Sequence, residues 1–332
     1  MNINGCIKLH PFIKSRKKLQ KVFVFDFDET LGSFGHLYYL WDSIVKTNCV
    51  YLTSDDKYNE GAFQLLKKIM DLYPEFLRYG ILVILEFLYF KKIQGKCYKI
   101  FIYTNNQSTV DWVNLIIRYI CSKIPTIKED IPLFDKIIYA FKIKNKIIEF
   151  ARTTQKKTYD DFINCSVLSK NTEICFIDDA YHPKMINKKI YYIQPQPYHH
   201  NLSKYTILTR LFSQPVSIFD SKEIKSIHKH KTEISMFFNE SKINDFFKTD
   251  FERKNDIFVS KKLMHLIKDF FYIVHAYTKK KNVKLGKITR KYNHKQHLSH
   301  HHHHTLTPTN MNAHTTIPVN LYPSLEEVII QL

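Results

Sequence analysis

A chain of 332 residues has room for one generous α/β domain and an appendage. Its 50 lysines and arginines outweigh 31 acids, giving a formal net charge of +19 at pH 7. The six cysteines, at 6, 49, 97, 121, 165 and 175, form no C-x-x-C pair and no framework spacing. That pattern fits a reduced cytoplasmic or nuclear compartment and argues against a secreted disulfide scaffold. No apolar core precedes the basic residues at 16–18, so no secretory signal is read there. The longest apolar run, 79–90, is broken by Glu86 and is too short to cross a bilayer, so no membrane role is expected. Lys, Ile, Asn, Phe and Tyr are abundant and only seven glycines occur, a bias that lowers the weight of any single lysine.

Taken in order, residues 1–19 read as a polar lead-in. Residues 22–25, Val-Phe-Val-Phe, are apolar without alternation, which suits a strand buried on both faces of a parallel sheet. Asp26, Asp28 and Thr30 follow at its carboxyl end, where open α/β sheets place their chemistry. Helical periodicity is read at 37–45, 61–73 and 75–92, with Pro74 suited to a helix start. These form a helical insertion over about 35–95 that should partly cover the mouth of the site. A second strand, 99–104, ends in Thr104 with Asn105 and Asn106 behind it, and a helix over 108–120 follows. A third strand, 173–177, ends in the adjacent acids Asp178 and Asp179. Strands at 136–140 and 190–193 would complete a five-stranded parallel sheet. Residues 216–255 read as a linker with short helices, and 256–277 as an amphipathic helix that docks on the domain through Phe258, Leu263, Leu266, Ile267 and Phe270.

The acids carry the chemistry. A positioned carboxylate can take a phosphoryl group as an aspartyl phosphate, and Asp26 suits that role while also binding a hard cation. Asp28, two residues on, can give a proton to a leaving alkoxide and later take one from water. The same Asp-x-Asp-x-Thr spacing also suits a solvated turn after a strand. Two neighbouring carboxylates at 178 and 179 repel unless a cation neutralises them, which points to a metal. Thr104 can donate its hydroxyl to a phosphate oxygen. A lysine at the helix start near 157 could balance the charge; Lys157 is preferred to Lys156 because Thr158 and an apolar face follow, although either suits a solvated surface.

These four segments resemble the haloacid dehalogenase-like phosphohydrolase superfamily over roughly residues 18–215. The resemblance implies a three-layer, Rossmann-like α/β fold with the strands of the first and last acids side by side. It implies Asp26 as nucleophile and Asp28 as general acid/base. Thr104 would be a phosphate ligand and Lys157 (or Lys156) the charge stabiliser. Mg²⁺ would be held by Asp26, the backbone carbonyl of Asp28, and Asp178 or Asp179, with Thr30, Asn105 and Lys156 on the substrate side. The Asp-Glu-Thr-Leu wording at 28–31 looks closest to the branch of phosphatases acting on the C-terminal domain of RNA polymerase II, in a divergent form similar to those of large DNA viruses and protists. The Thr-Asn-Asn-Gln at 104–107 departs from that branch and is instead similar to the Thr-Asn-Gln of polynucleotide 3′-phosphatases and histidinol phosphatases.

Three functions are therefore expected to compete. The first is a Mg²⁺-dependent phosphatase acting on phosphoserine or phosphothreonine in a protein, RNA polymerase included. The second is a nucleic-acid-end phosphatase, and the third a catalytically silent scaffold on the same fold. Between Lys279 and Lys295 lie eight basic residues and no acid, a run that could meet nucleic-acid phosphates or be a solvated tail. The five histidines at 300–304 read as native low complexity, and 321–332 as a short partner-binding helix or nothing.

Overall fold

The computed structural model describes residues 5–9, 20–47, 56–169, 172–215, 227–245 and 247–280. Most of the 1–19 lead-in, the basic run beyond residue 280, the histidines and the closing segment lie outside the described residues. The first compact unit is Met1–Tyr272; of the second, Ile273–Leu332, only the end of one helix is described.

The fold is α/β, with five parallel strands. Strands β1 (Cys6–Leu9) and β2 (Gln20–Phe25) come first, followed by helices α1 (Gly35–Lys46), α2 (Asp56–Leu72) and α3 (Ile81–Ile93). Next come β3 (Lys99–Tyr103), α4 (Val110–Ser122), β4 (Lys136–Ile138) and a small hairpin, β5 (Lys142–Ile143) with β6 (Lys146–Ile147). The chain continues with α5 (Tyr159–Ser166), β7 (Thr172–Ile177), β8 (Ile190–Pro195), α6 (Lys204–Phe212), α7 (Lys231–Asn239) and α8 (Asp250–Lys280). The sheet order is β1-β8-β7-β2-β3-β4, with β1 antiparallel to β8 and the other five parallel. Chain order reverses beside β2: the path runs outward through β3 and β4, then returns to β7 on the other flank. Ligand crevices of open sheets form at such a reversal.

The central strands follow their composition. All six residues of β7 and the last four of β2 and β3 are buried. One face of the sheet packs Val22, Val24, Phe101 and Phe176 against Phe162 and Cys165 of α5. On the other face Phe23 meets Phe270 and Phe271 of α8 at centroid distances of 5.2 and 5.0 Å. Burying a phenylalanine such as Phe270 stabilises by roughly 1.5–3 kcal/mol, which ties α8 to the sheet. Phe258 points outward at 47% exposure, away from the apolar face expected of it.

Two expectations are corrected. The first 19 residues include an edge strand, β1, whose partner lies some 190 residues away in sequence and leaves no local signal. Gly5 leads into it so closely packed that a Cβ there would stand 2.5 Å from Val259 Cγ2. The third helix does not begin at 75. Pro74–Phe76 form a single 3₁₀ turn, Leu77 is extended, and Gly80 at φ 70° precedes α3. The cause is tertiary: Gly32 bridges Leu77, Ser33 N–H donates to Phe76 O at 2.7 Å, and Arg78 N–H to Leu31 O at 2.9 Å. Pairing with the loop after β2 pulls 76–78 out of the helix.

A buried histidine pair lies under α1. His200 Nδ1 accepts from Leu202 N–H at 3.0 Å, so His200 carries its proton on Nε2 and donates it to His36 Nδ1 at 2.9 Å. His36 Nε2 then faces Asp245 Oδ1 at 3.6 Å. Burial pulls the His36 imidazolium down to about 4 and that of His200 to about 3, from 6.5. Between those values and 6.5 the unfolded chain binds more protons than the folded one, so stability is held above pH 6.5 and lost as pH falls. The expected loss approaches about 1.4 kcal/mol per pH unit for each histidine. Urea midpoints at pH 7 and pH 5 measure it, and His36→Leu should flatten the slope. An equal slope in the variant would remove this account.

Candidate active site

Strands β2, β3 and β7 all end on one edge of the sheet and deliver Asp26, Thr104 and Asp178 together. Phe25 is in register with Ile177 and with Ile102, and Asp26 N–H donates to Ile177 O at 2.8 Å. The first and last acids therefore lie side by side because their strands do.

Lys157 joins them. Its Nζ bonds Asp26 Oδ1 and lies 2.7 Å from Asp178 Oδ2, with the lysine 3% exposed. The next residue, Thr158, caps α5 by accepting from Asp161 N–H at 3.0 Å, which fixes the direction in which Lys157 leaves the chain. Lys156 is exposed and its N–H donates to Thr154 Oγ1, so of the two lysines only Lys157 reaches the acids. Asp178 is also approached by His182 Nε2 at 3.1 Å and by Ala180 N–H at 2.9 Å.

The loop after β2 turns tightly. Glu29 sits at φ 53°, and Leu31 N–H donates to Phe27 O. A Cβ on Gly32 would fall 2.4 Å from Phe76 O, so the turn has room only for glycine. Arg78, fully inside, donates to Thr30 O at 2.6 Å, Glu29 O at 2.5 Å and Gln196 O at 2.8 Å. It fixes the loop by its carbonyls. Thr30 gives its hydroxyl to Asp179 Oδ1 at 2.8 Å and accepts from Asp179 N–H, which makes it a brace between two acid-bearing segments.

The two asparagines part company. Asn106 Nδ2 donates to Asp28 Oδ2 at 2.7 Å, whereas Asn105 Oδ1 accepts from Arg152 at 2.8 Å. Arg152 also donates to Thr104 O and Gln155 O, linking the Thr104 loop to the Lys157 loop. Thr104 Oγ1 accepts from Asn106 N–H at 2.9 Å, leaving its own proton free to donate.

Five acids crowd this edge. Burial holds Asp26 well above the usual carboxylate range, although Lys157 opposes it. Burial likewise pushes Asp28 up to about 6 and Glu29 to about 7, and raises Asp179. Asp178 goes the other way: burial is outweighed by Lys157 and His182. Burial also works against the Lys157 ammonium, and Asp178 with Asp26 more than reverse it.

Carboxylate oxygens of Asp26, Asp178 and Asp179 lie within 4.8 Å of one another. Among the described residues, Asp26 Oδ2 and Asp179 Oδ2 have no hydrogen-bond partner. Two open oxygens on carboxyl groups whose charged form burial disfavours are a donor set suited to a hard divalent cation. The carboxylate of Asp28 lies outside this trio. It borders a cleft of about 300 Å³ between the start of α1 and the Asn106 loop. Neither α2 nor α3 contributes to that lining, so only the first of the three expected insertion helices borders it.

Sequence reading assigned no role to Arg78, Arg152, His182 or Glu29. His182 lies four residues beyond Asp178 in a stretch that is not helical, and the arginines act on backbone carbonyls, Arg152 also on Asn105 Oδ1, so none of them had a local signal. Among the described residues no helix is long and apolar enough to cross a membrane. Comparison of the chain with family models, with curated proteins and with solved structures finds no match in any of the three.

Proposed function

We propose that this chain is a Mg²⁺-dependent phosphomonoester hydrolase that works through an aspartyl phosphate, on a three-layer, Rossmann-like fold of the haloacid dehalogenase kind. The observation that carries the reading is Lys157 held between Asp26 and Asp178, with Asp28 turned to the adjacent cleft. Asp26 attacks phosphorus, and the bond from phosphorus to the leaving oxygen breaks. Lys157 and the Thr104 hydroxyl offset charge on the transferring oxygens. Asp28, pushed up to about 6 by burial, retains protonated population near neutral pH and gives its proton to the departing oxygen. Asn106 holds that carboxyl in place. Water then attacks the same phosphorus while Asp28 takes its proton, and phosphate leaves with Asp26 restored.

Mg²⁺, held by Asp26, Asp178 and Asp179, would supply Lewis-acid neutralisation of the phosphate oxygens. The substrate is a phosphorylated protein, RNA polymerase included, or a nucleic-acid end; the cleft beside Asp28 bears on that choice. The reaction class is tested by phosphate release from p-nitrophenyl phosphate with Mg²⁺ and with EDTA. Turnover with Mg²⁺ that EDTA abolishes is the expected result. Folded protein inert towards several phosphomonoesters in Mg²⁺ would favour the scaffold alternative.

A further inference from the structure

The cleft beside Asp28 has two unlike walls. One is aromatic: Tyr38 and Tyr39 of α1 are half-buried, and Trp112 of α4 lies behind Tyr38 with centroids 5.3 Å apart at 72°. Tyr38 meets Tyr39 edge to face at 5.6 Å. Neither tyrosine hydroxyl makes a hydrogen bond among the described residues. The other wall is polar. Gln107 Nε2 donates to Asn105 O and Ser108 N–H to Asn106 Oδ1, which leaves Gln107 Oε1 and the Ser108 hydroxyl open. Among the described residues, Asp28 is the one carboxylate that lines the cleft, and no lysine or arginine does.

We propose that this cleft is the leaving-group subsite and that it takes a nucleobase, so that the substrate is a nucleotide carrying a phosphomonoester. The proposal rests on the phosphatase reading in one respect: Asp28 as proton donor puts the leaving group on this side of phosphorus. The rest comes from the walls. A base is planar and neutral, with a face for one of the two tyrosine rings, which stand 75° apart, and a polar edge for Gln107 and Ser108. A phosphoserine offers one methylene and extended backbone, with nothing to fill an aromatic wall. A phosphotyrosine has the ring but no polar edge for the facing side. The volume of about 300 Å³ is at the small end of ligand pockets and suits one nucleoside.

The test compares kcat/KM of the full chain for a nucleoside monophosphate, the same nucleotide ending a short DNA strand, a phosphoserine peptide and a phosphotyrosine peptide. Either nucleotide probe should exceed both peptides by about 10-fold or more, the scale of base–aromatic stacking. A strand preferred to the free nucleotide identifies a nucleic-acid end as the source, and the reverse a mononucleotide. Tyr38→Ala should lower the nucleotide-to-phosphoserine ratio about 10-fold, through KM, and Tyr38→Phe should restore it. A peptide preferred by the wild type, or a ratio unmoved by Tyr38→Ala, overturns the proposal. Calorimetric binding of the same probes separates the two readings. Nucleotide preference without turnover upholds the subsite and removes the reaction, whereas turnover without that preference removes the subsite alone.

Discussion

Asp26→Asn is expected to abolish turnover, by a factor on the order of 10⁴ or more, while the domain stays folded. The amide has the shape of the carboxylate but cannot take a phosphoryl group. Stability should change little, because the amide oxygen can still accept from Lys157 and Lys157 keeps Asp178 as a partner. Phosphate release at saturating substrate and a urea midpoint measured on the same preparation check both halves. Substantial residual turnover would mean that another group attacks phosphorus.

Lys157→Met should act on stability as well as rate. It leaves Asp26 and Asp178, with carboxylate oxygens within 4.8 Å of each other, only His182 to offset them, inside a site where the lysine is 3% exposed. Breaking a buried pair by removing one partner costs about 3–5 kcal/mol, because the remaining charge is left uncompensated. Mg²⁺ should recover part of that loss, since a ligand bound only by the folded state stabilises it in proportion to RT ln(1 + [L]/Kd). Urea titrations of the variant in EDTA and in Mg²⁺ read this directly. Lys156→Met is the control: an exposed side chain away from the acids should shift stability by no more than about 0.5 kcal/mol. Equal effects of the two substitutions would contradict the assignment of Lys157 as the inner cation.

What was legible in the sequence follows from what decides each feature. Runs such as 22–25 and 173–177 are buried on both faces, and burial on both faces is written in composition alone. The acids follow at the carboxyl ends of those strands, but that the two strands lie side by side is written in no local pattern; it is what the resemblance implies and what their register shows. Adjacent identical residues were harder. Lys156 and Lys157 carry the same chemistry and differ only in which side of the chain they leave, a direction fixed by the Thr158 cap. Asn105 and Asn106 part in the same way, one to Arg152 and one to Asp28. Arg78 could not be found by pattern, because its partners are carbonyls of residues 29, 30 and 196. The late start of α3 and the edge strand β1 share that cause: long-range pairing overrode or supplied what local propensity did not. The aromatic wall was half visible. Trp112 falls in the helix expected over 108–120 and at 3% exposure backs the cleft, while Tyr38 and Tyr39 line it.

The central claim is that Asp26 carries the phosphoryl group. The direct measurement is an acid quench of the Asp28→Asn variant during turnover of radiolabelled p-nitrophenyl phosphate. Nitrophenolate leaves without needing a proton, so the first step proceeds in this variant, while loss of the base slows attack by water and the intermediate accumulates. The account predicts label on the peptide containing Asp26, released by mild base as an acyl phosphate should be. Phosphate release with no label on that peptide, or label on any other residue, would contradict it.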